Sequence, residues 1–408
     1  MPLDLQLHRV QSLLRHLNNP HYKPKFIHVA GTNGKGSVCS YISHILTAAG
    51  IKNGRFNSPH LITPRDSIQI NNLSVSRTVY EKFKVMIQDI DKKYNVGCTE
   101  FELLTCTAFQ IFAECNVDIA IMEVGVGGRL DATNVIPAEK TMVVGITKIA
   151  LDHQGLLGNN LREIASQKLG IFKKDVPAVI DGTNDKSVLE EAEKEAKHVG
   201  CNLYVTKKED CWVKPKLLGN YQYDNLAVAL KMISLVEDYS IGSELVKTGV
   251  EKTIWPGRLQ TYKLEHAKVD INDDGFTPVL LDGAHNTSAA NELGKYLGSI
   301  RGNSGFVYVI AITKGKDLTS LFQSIINEND IVIFTQFAEN IEGMPWIEPF
   351  LASELRDELT NQAIPLTDIK VINNVKDALK TAIQISQKEN KKIVVCGSLY
   401  LVADVFRL

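Results

Sequence analysis

Ala30-Gly-Thr-Asn-Gly-Lys-Gly-Ser37 follows directly on the apolar run Phe26-Ile-His-Val29 and precedes Val38, Tyr41, Ile42, Ile45, Leu46 and Ala49, which recur at helical spacing. A strand, a glycine loop and a helix N-terminus therefore arrive in phosphate-binding order. Gly31, Gly34 and Gly36 let backbone N–H groups approach a phosphate, Lys35 supplies a point charge, and Ser37 offers a hydroxyl to Mg²⁺. The glycines lie closer together than in the general G-x-x-x-x-G-K-[ST] pattern, and Gly36 is inserted after the lysine. A tight strand-to-helix turn also uses glycine, but it has no need of Lys35. The segment marks a nucleotide enzyme.

Working outward, β-rich runs at 26–30, 118–124, 141–147 and 176–181 alternate with helix-length segments. A second series at 278–282, 306–312, 330–335, 368–372 and 392–397 begins after the polar stretch 263–275. Such alternation implies an α/β fold built on mainly parallel sheets. At 408 residues the chain exceeds what one core organises, and its 44% hydrophobic content is ample for two. We expect domains at 1–262 and 276–408, joined by a linker at 263–275. Ligand sites in such sheets lie beyond the carboxyl ends of strands.

A formal net charge of -2, from 45 basic and 47 acidic residues, offers no broad field to nucleic acid or to an anionic membrane. Seven scattered cysteines without a C-x-x-C pair argue against a disulfide framework and a structural zinc, and fit a reducing compartment. No apolar stretch is long enough to span a bilayer, and the Leu/Val pattern near Asp4 lacks a signal core, so a cytoplasmic protein is expected. The charge run 190–197 reads as a solvated helix face without functional weight.

The second strong segment, Glu123-Val-Gly-Val-Gly-Gly-Arg-Leu-Asp-Ala-Thr-Asn134, ends an apolar strand on an acid and then turns on three glycines. An acid at a strand tip facing a phosphate loop is placed to bind Mg²⁺, although a surface acid beside a glycine turn has the same pattern. Arg129 and Asp131 pair with each other or with substrate. Leu151-Asp-His153 follows the strand ending near Thr147, and Lys168 lies on a helical pattern fifteen residues after His153. Alone, such a histidine is usually structural and such a lysine solvated. Leu281-Asp-Gly-Ala-His-Asn286 and Cys396-Gly-Ser-Leu-Tyr400 end strands of the second series, where they meet a nucleotide or serve as ordinary turns. Arg258, in Trp255-Pro-Gly-Arg-Leu259, reaches nucleotide or packs between domains.

Together with Ser58-Pro-His-Leu61 and Asn225 in Tyr221-Gln-Tyr-Asp-Asn225, these segments resemble the ordered motifs of the folylpolyglutamate synthase and dihydrofolate synthase family, relatives of the Mur ligases. The resemblance runs from about residue 5 to 406. Thr99-Glu-Phe-Glu-Leu-Leu-Thr-Cys-Thr-Ala-Phe109, Glu342-Gly-Met-Pro-Trp346 and Ile393-Val-Val-Cys-Gly-Ser-Leu-Tyr400 look most like the fungal monofunctional dihydrofolate synthases. It implies a P-loop ATPase-like Mur ligase domain and a smaller Rossmann-like C-terminal domain with the active site between them. It also implies a ligase that joins L-glutamate to 7,8-dihydropteroate through an acyl phosphate, using ATP and giving dihydrofolate, ADP and phosphate.

Carried over by motif, Gly31, Thr32, Asn33, Gly34, Lys35, Gly36 and Ser37 would hold the nucleotide phosphates. Ser58 and Glu123 would coordinate one Mg²⁺, with Ser37 an additional ligand, and His153 would hold a second. Lys168 matches the lysine that family members carry as a carbamate, a carboxylate-like metal ligand; this chain departs from the usual Glu-Lys-Ala-Gly-Ile in having Gln167 and Leu169 around it. Asn225, Arg258 and Asp282 would contact ATP, and His285 and Ser398 the incoming glutamate. Thr99, Phe101, Glu102, Leu130 and Asp131 would line the pterin site. Lys35, Lys168, His153 and His285 are the residues expected to act in catalysis. The family resemblance carries the expectation of a monomer.

Two other readings stand beside this one. Folylpolyglutamate synthase, or a bifunctional enzyme adding glutamate to reduced folates, would use the same ATP and metal residues and differ at the pterin pocket. A P-loop nucleotide switch is the alternative of another class; such GTPases read guanine with Asn-Lys-x-Asp, and no such segment occurs in this sequence.

Overall fold

The computed structural model describes residues 6–302, 305–361 and 368–408. Two compact units divide the chain: one takes it to Lys216 and again over Tyr221–Ile254, and the other comprises Leu217–Asn220 and Trp255–Leu408. Each is built on its own sheet.

The first sheet contains β1 (Lys25–Ala30), β2 (Asn53–Phe56), β3 (Ile68–Ile70), β4 (Leu73–Ser74), β5 (Ile119–Glu123), β6 (Thr141–Ile146), β7 (Ala178–Asp181) and β8 (Leu203–Thr206), in the order β4-β3-β2-β5-β1-β6-β7-β8. From β2 to β8 all pairings are parallel, and the β3–β4 ribbon adds antiparallel to β2. The central strands are apolar because helices cover both faces, as a parallel sheet requires. Phe26, Phe56 and Met122 pack with Leu13, Phe83 and Phe109 in one cluster, while Ala30, Val144 and Ile180 pack with Ile164 and Ala192 in another. Helix Lys35–Ala48 packs against Tyr221–Ser234 and Ser243–Lys252, and the first two of these three helices also pack against the sheet.

Register places the site. Val29 pairs with Glu123, Phe56 with Met122, and Ala30 with Ile146. The residues that leave the carboxyl ends of β2, β5, β1 and β6, namely Asn57, Glu123, Gly31 and Thr147, are therefore neighbours along one edge of the sheet.

The second sheet contains β9 (Gln260–Glu265), β10 (Phe276–Asp282), β11 (Phe306–Ile310), β12 (Ile331–Phe334), β13 (Asp368–Val371) and β14 (Lys392–Cys396), in the order β13-β12-β11-β14-β10-β9. It is parallel except for β9, which runs antiparallel to β10. Every strand expected from an apolar run is present. The expected linker is not: residues 263–265 end β9, and a short turn of helix over His266–Val269 follows. β9 is a sheet-edge strand that exposes alternate residues, so its polar composition resembles that of a linker. All seven cysteines are free thiols.

Candidate active site

The phosphate loop is fastened at one end and open at the other. Thr32 and Asn33 both donate their N–H groups to the Lys148 carbonyl, at 2.8 and 3.1 Å, and Thr32 Oγ1 exchanges hydrogen bonds with Ala150. These two residues, expected at the nucleotide, thus tie the loop to the chain leaving β6. Helix Lys35–Ala48 then starts at Gly34 with no side chain capping it, and its first backbone bond runs from Val38 to the Gly34 carbonyl. The N–H groups of the first turn face the edge of the sheet as an anion site.

Gly34 has φ +95°, and a β-carbon there would overlap Asn225 Oδ1. Asn225 therefore reaches the loop, although it is remote in sequence. Its Nδ2 donates to Gln222 Oε1 at 3.1 Å, and Gln222 Nε2 donates to Ser37 Oγ at 3.3 Å. Gln222 orients both, and sequence reading missed it because a buried glutamine on an apolar helix carries no motif.

Glu123 is buried at the tip of β5. One of its oxygens lies 3.7 Å from Lys35 Nζ, and the other accepts a hydrogen bond from Asn57 Nδ2 at 2.7 Å. Ser58 follows Asn57 directly, and its Oγ is buried with no hydrogen-bond partner among the described residues. A carboxylate beside an unsatisfied hydroxyl is a hard-oxygen donor set that fits Mg²⁺. Among the described residues, no group of three or more histidine, cysteine or acidic side chains is arranged to hold a metal. Arg55 on β2 is buried within electrostatic reach of Glu123, and burial lowers its pKa to about 10. Nothing in the sequence singles it out, since a buried arginine in a strand is uncommon.

Lys168 is buried and donates from Nζ to the Gly31 carbonyl at 2.8 Å. Burial, helped by nearby Lys35 and opposed by Asp152 and Asp131, lowers its pKa to about 7. Its helix, Leu161–Leu169, is drawn in by the glycine loop. A β-carbon on Gly128 would stand 2.7 Å from the Lys168 carbonyl oxygen, and the Arg129 N–H donates to the Gln167 carbonyl at 2.8 Å. His153 stands at an exposed turn with φ +51°, at the start of the short helix Gln154–Leu157.

The residues expected at the pterin are partly engaged in the fold. Thr99 caps helix Glu100–Glu114, and Glu102 accepts the Thr99 N–H at 2.7 Å while pairing with Arg9 at 3.0 Å. Phe101 lies against Gly125, and Leu130 is exposed. Asp131 is buried and accepts four hydrogen bonds from Gly125, Val126 and Thr133, bracing the loop that follows Glu123. Arg129 pairs with Glu195 at 2.9 Å rather than with Asp131, so one acid of the charge run does have a partner at the site.

In the second unit, β10 and β14 end side by side, with Asp282 opposite Cys396. Asp282 accepts the N–H groups of Leu259 and Ala284, both at 2.8 Å. Burial raises its pKa, and the nearby Arg258 opposes that shift. His285 Nδ1 lies 2.9 Å from the Gly283 carbonyl oxygen. Ser398 Oγ accepts the Tyr400 N–H at 3.1 Å and caps helix Leu399–Arg407. Asp282, His285 and Ser398 thus occupy two adjoining strand ends, and Arg258 leads into β9, whose Gln260 pairs with Leu281.

The profile of the Mur ligase middle domain matches residues 29–233, and that of the dihydrofolate synthetase C-terminal domain matches residues 265–408. The chain is 41% identical to the dihydrofolate synthetase of Saccharomyces cerevisiae, covering 100% of this chain and 98% of that protein. It is 36% identical to the probable dihydrofolate synthetase of Schizosaccharomyces pombe, over 100% and 99% of the two chains. A bifunctional folylpolyglutamate synthase/dihydrofolate synthase from Yersinia pestis, solved with AMPPNP and Mn ion, superposes with a TM-score of 0.82 at 26% identity, covering 100% of this chain and 94% of that one. No helix among the described residues is long and apolar enough to cross a membrane. With an open phosphate loop at the edge of one sheet, a smaller second sheet and these likenesses along its whole length, the chain belongs to the folylpolyglutamate synthase and dihydrofolate synthase family of Mur ligases.

Proposed function

We propose that this chain is a dihydrofolate synthase: it joins L-glutamate to 7,8-dihydropteroate at the expense of ATP. The observation that carries the reading is the uncapped helix start at Gly34, with Lys35 drawn to within 3.7 Å of Glu123. Identity to named dihydrofolate synthetases over the full length supports the choice of substrate.

A carboxylate is a poor acyl donor because oxide would have to leave. Transfer of the γ-phosphoryl group to the pterin carboxylate gives an acyl phosphate and ADP. The glutamate amine then attacks the acyl carbon, phosphate departs with the bonding pair, and the amine proton is lost to solvent. Both steps build negative charge on oxygen, so they call for cations and N–H donors in place of a nucleophilic side chain. The first-turn N–H groups and Lys35 bind and orient the β- and γ-phosphates, with Ser37 and Asn225 beside them. Glu123 and Ser58 hold a divalent cation, which neutralises phosphate charge when bound.

Lys168, as its carbamate, and His153 hold a second cation. A lysine amine with a pKa of about 7 is partly neutral at physiological pH, the form that reacts with carbon dioxide. Thr99, Phe101, Glu102, Leu130 and Asp131 bound the pterin site, through backbone and packing where their oxygens are engaged. Arg258 and Asp282 contact ATP from the C-terminal glutamate-ligase domain, in which His285 and Ser398 receive the glutamate. The protein works as a cytoplasmic monomer; its seven scattered free thiols support a reducing compartment, and the monomer follows from the family resemblance.

Phosphate release and product mass with ATP, Mg²⁺, glutamate and either dihydropteroate or tetrahydrofolate test the reading. Product from dihydropteroate alone is expected; product from tetrahydrofolate alone would reassign the chain as a folylpolyglutamate synthase. Carbamylation is tested with Lys168→Ala at low bicarbonate, where full activity would exclude it.

A further inference from the structure

His28 belongs to no motif, yet it lies at the centre of the first sheet, fully buried on β1 two residues before the phosphate loop begins to turn. It shares a face with Phe26 and Ala30, which pack into the two separate apolar clusters of that face. A histidine at the meeting of two cores is costly unless its polar atoms have work. One of them does: Nε2 lies 2.8 Å from Thr133 Oγ1.

The direction of the bonds follows from proton counting. Thr133 has one hydroxyl proton and donates it to Asp131 Oδ1 at 2.5 Å, so it must accept from His28, which must carry its proton on Nε2. His28 Nδ1 is then a bare lone pair, and it is buried with no hydrogen-bond partner among the described residues. Burial and nearby Lys173 both lower the His28 pKa well below its ordinary value, which keeps the ring neutral and the arrangement fixed. Asp131 Oδ2 accepts the N–H groups of Gly125 and Val126, each at 3.0 Å. A single chain of hydrogen bonds thus links β1 to the loop that leaves the metal-binding Glu123 and presents Leu130.

We propose that His28 is a positioning residue for the reaction: through Thr133 it fixes the Asp131 carboxylate that clasps residues 125–131, and it thereby governs affinity for the pterin acid. The proposal rests on the reading that this loop, with Phe101, receives dihydropteroate. Its hydrogen bonds order the loop before the substrate arrives, which reduces the entropy lost on binding. Nucleotide binds at the neighbouring loop, which leaves the carboxyl end of β1 and leads into the first turn of Lys35–Ala48, and none of these hydrogen bonds involves a residue of that loop.

Steady-state kinetics with ATP, Mg²⁺, glutamate and dihydropteroate test this in His28→Leu, His28→Gln and Thr133→Val. His28→Leu and Thr133→Val each raise KM for dihydropteroate about tenfold, the scale of one lost hydrogen bond to a charged network, and leave KM for ATP unchanged. His28→Gln, whose amide donates from a similar position, restores the parent value. The double variant is no worse than either single one, because both cut the same chain. Nitrogen-15 shifts of His28 report a proton on Nε2 only.

Parallel rises in both KM values, additive effects in the double variant, or a proton on Nδ1 would overturn the proposal. If His28→Leu does not fold, Thr133→Val compared with Thr133→Ser carries the same test, Ser retaining the hydroxyl. Leu130→Ala and Phe101→Ala probe the underlying reading separately. If both leave KM for dihydropteroate unchanged, the loop is not the pterin site; if both raise it while His28→Leu does not, only the positioning role fails.

Discussion

Helix Lys35–Ala48 starts at a glycine with no capping side chain, whereas helix Glu100–Glu114, on the other side of the same sheet, starts with a reciprocal Thr99–Glu102 box backed by Arg9. Both ends present the same backbone donors. The second is closed by its own side chains, a cap that contributes about 1 kcal/mol to the fold. The first is left for an anion, and its lysine waits against a carboxylate at a loose 3.7 Å. The closed end commits its side chains to the fold and the open end leaves its donors available, a difference that substitutions can break.

The largest effect is expected from Lys35→Ala, which removes the cation at the open end. Turnover should fall by about 10²-fold or more, with the melting temperature retained, as phosphate release and calorimetry will measure. Asn57→Ala comes next, because it frees a Glu123 oxygen from its orienting bond; half-activation by Mg²⁺ should shift upward by about tenfold. Gly34→Ala puts a β-carbon against Asn225 at a left-handed position. It should weaken nucleotide binding in calorimetric titration and cost about 1–3 kcal/mol of stability. Thr99→Ala should be mildest, lowering stability by about 1 kcal/mol while nucleotide affinity stays at the parent value. Loss of nucleotide affinity in Thr99→Ala, or intact turnover in Lys35→Ala, would erase the contrast between the two ends.

The same contrast explains what could be read from sequence. Strands with buried apolar runs were legible, because helices cover both of their faces. β2, β8 and β9 were not: β2 buries Asn53 and Arg55 among its four residues, and β8 and β9 lie at sheet edges and are partly exposed. At the site, Lys35 and Glu123 stood out within short motifs, and Asn225 only through the family resemblance. Their partners did not, since Gln222 meets Ser37 across 185 positions and Asn57 meets Glu123 across 66. Thr99, Glu102, Asp131 and Ser398 were recognised as important, but their oxygens serve caps and clasps. A motif records that a side chain is needed, and only packing tells whether ligand or backbone needs it.

The parallel register of β1 also fixes an order of events during synthesis. Its two neighbours are β5, beginning at Ile119, and β6, beginning at Thr141. A nascent chain therefore exposes the finished phosphate loop with no flanking strand until more than a hundred residues have emerged, and such distant pairing is slow. Ribosome-bound fragments that stop before β5 should fail to retain ATP, and the ability should arise abruptly once β6 has cleared the exit tunnel.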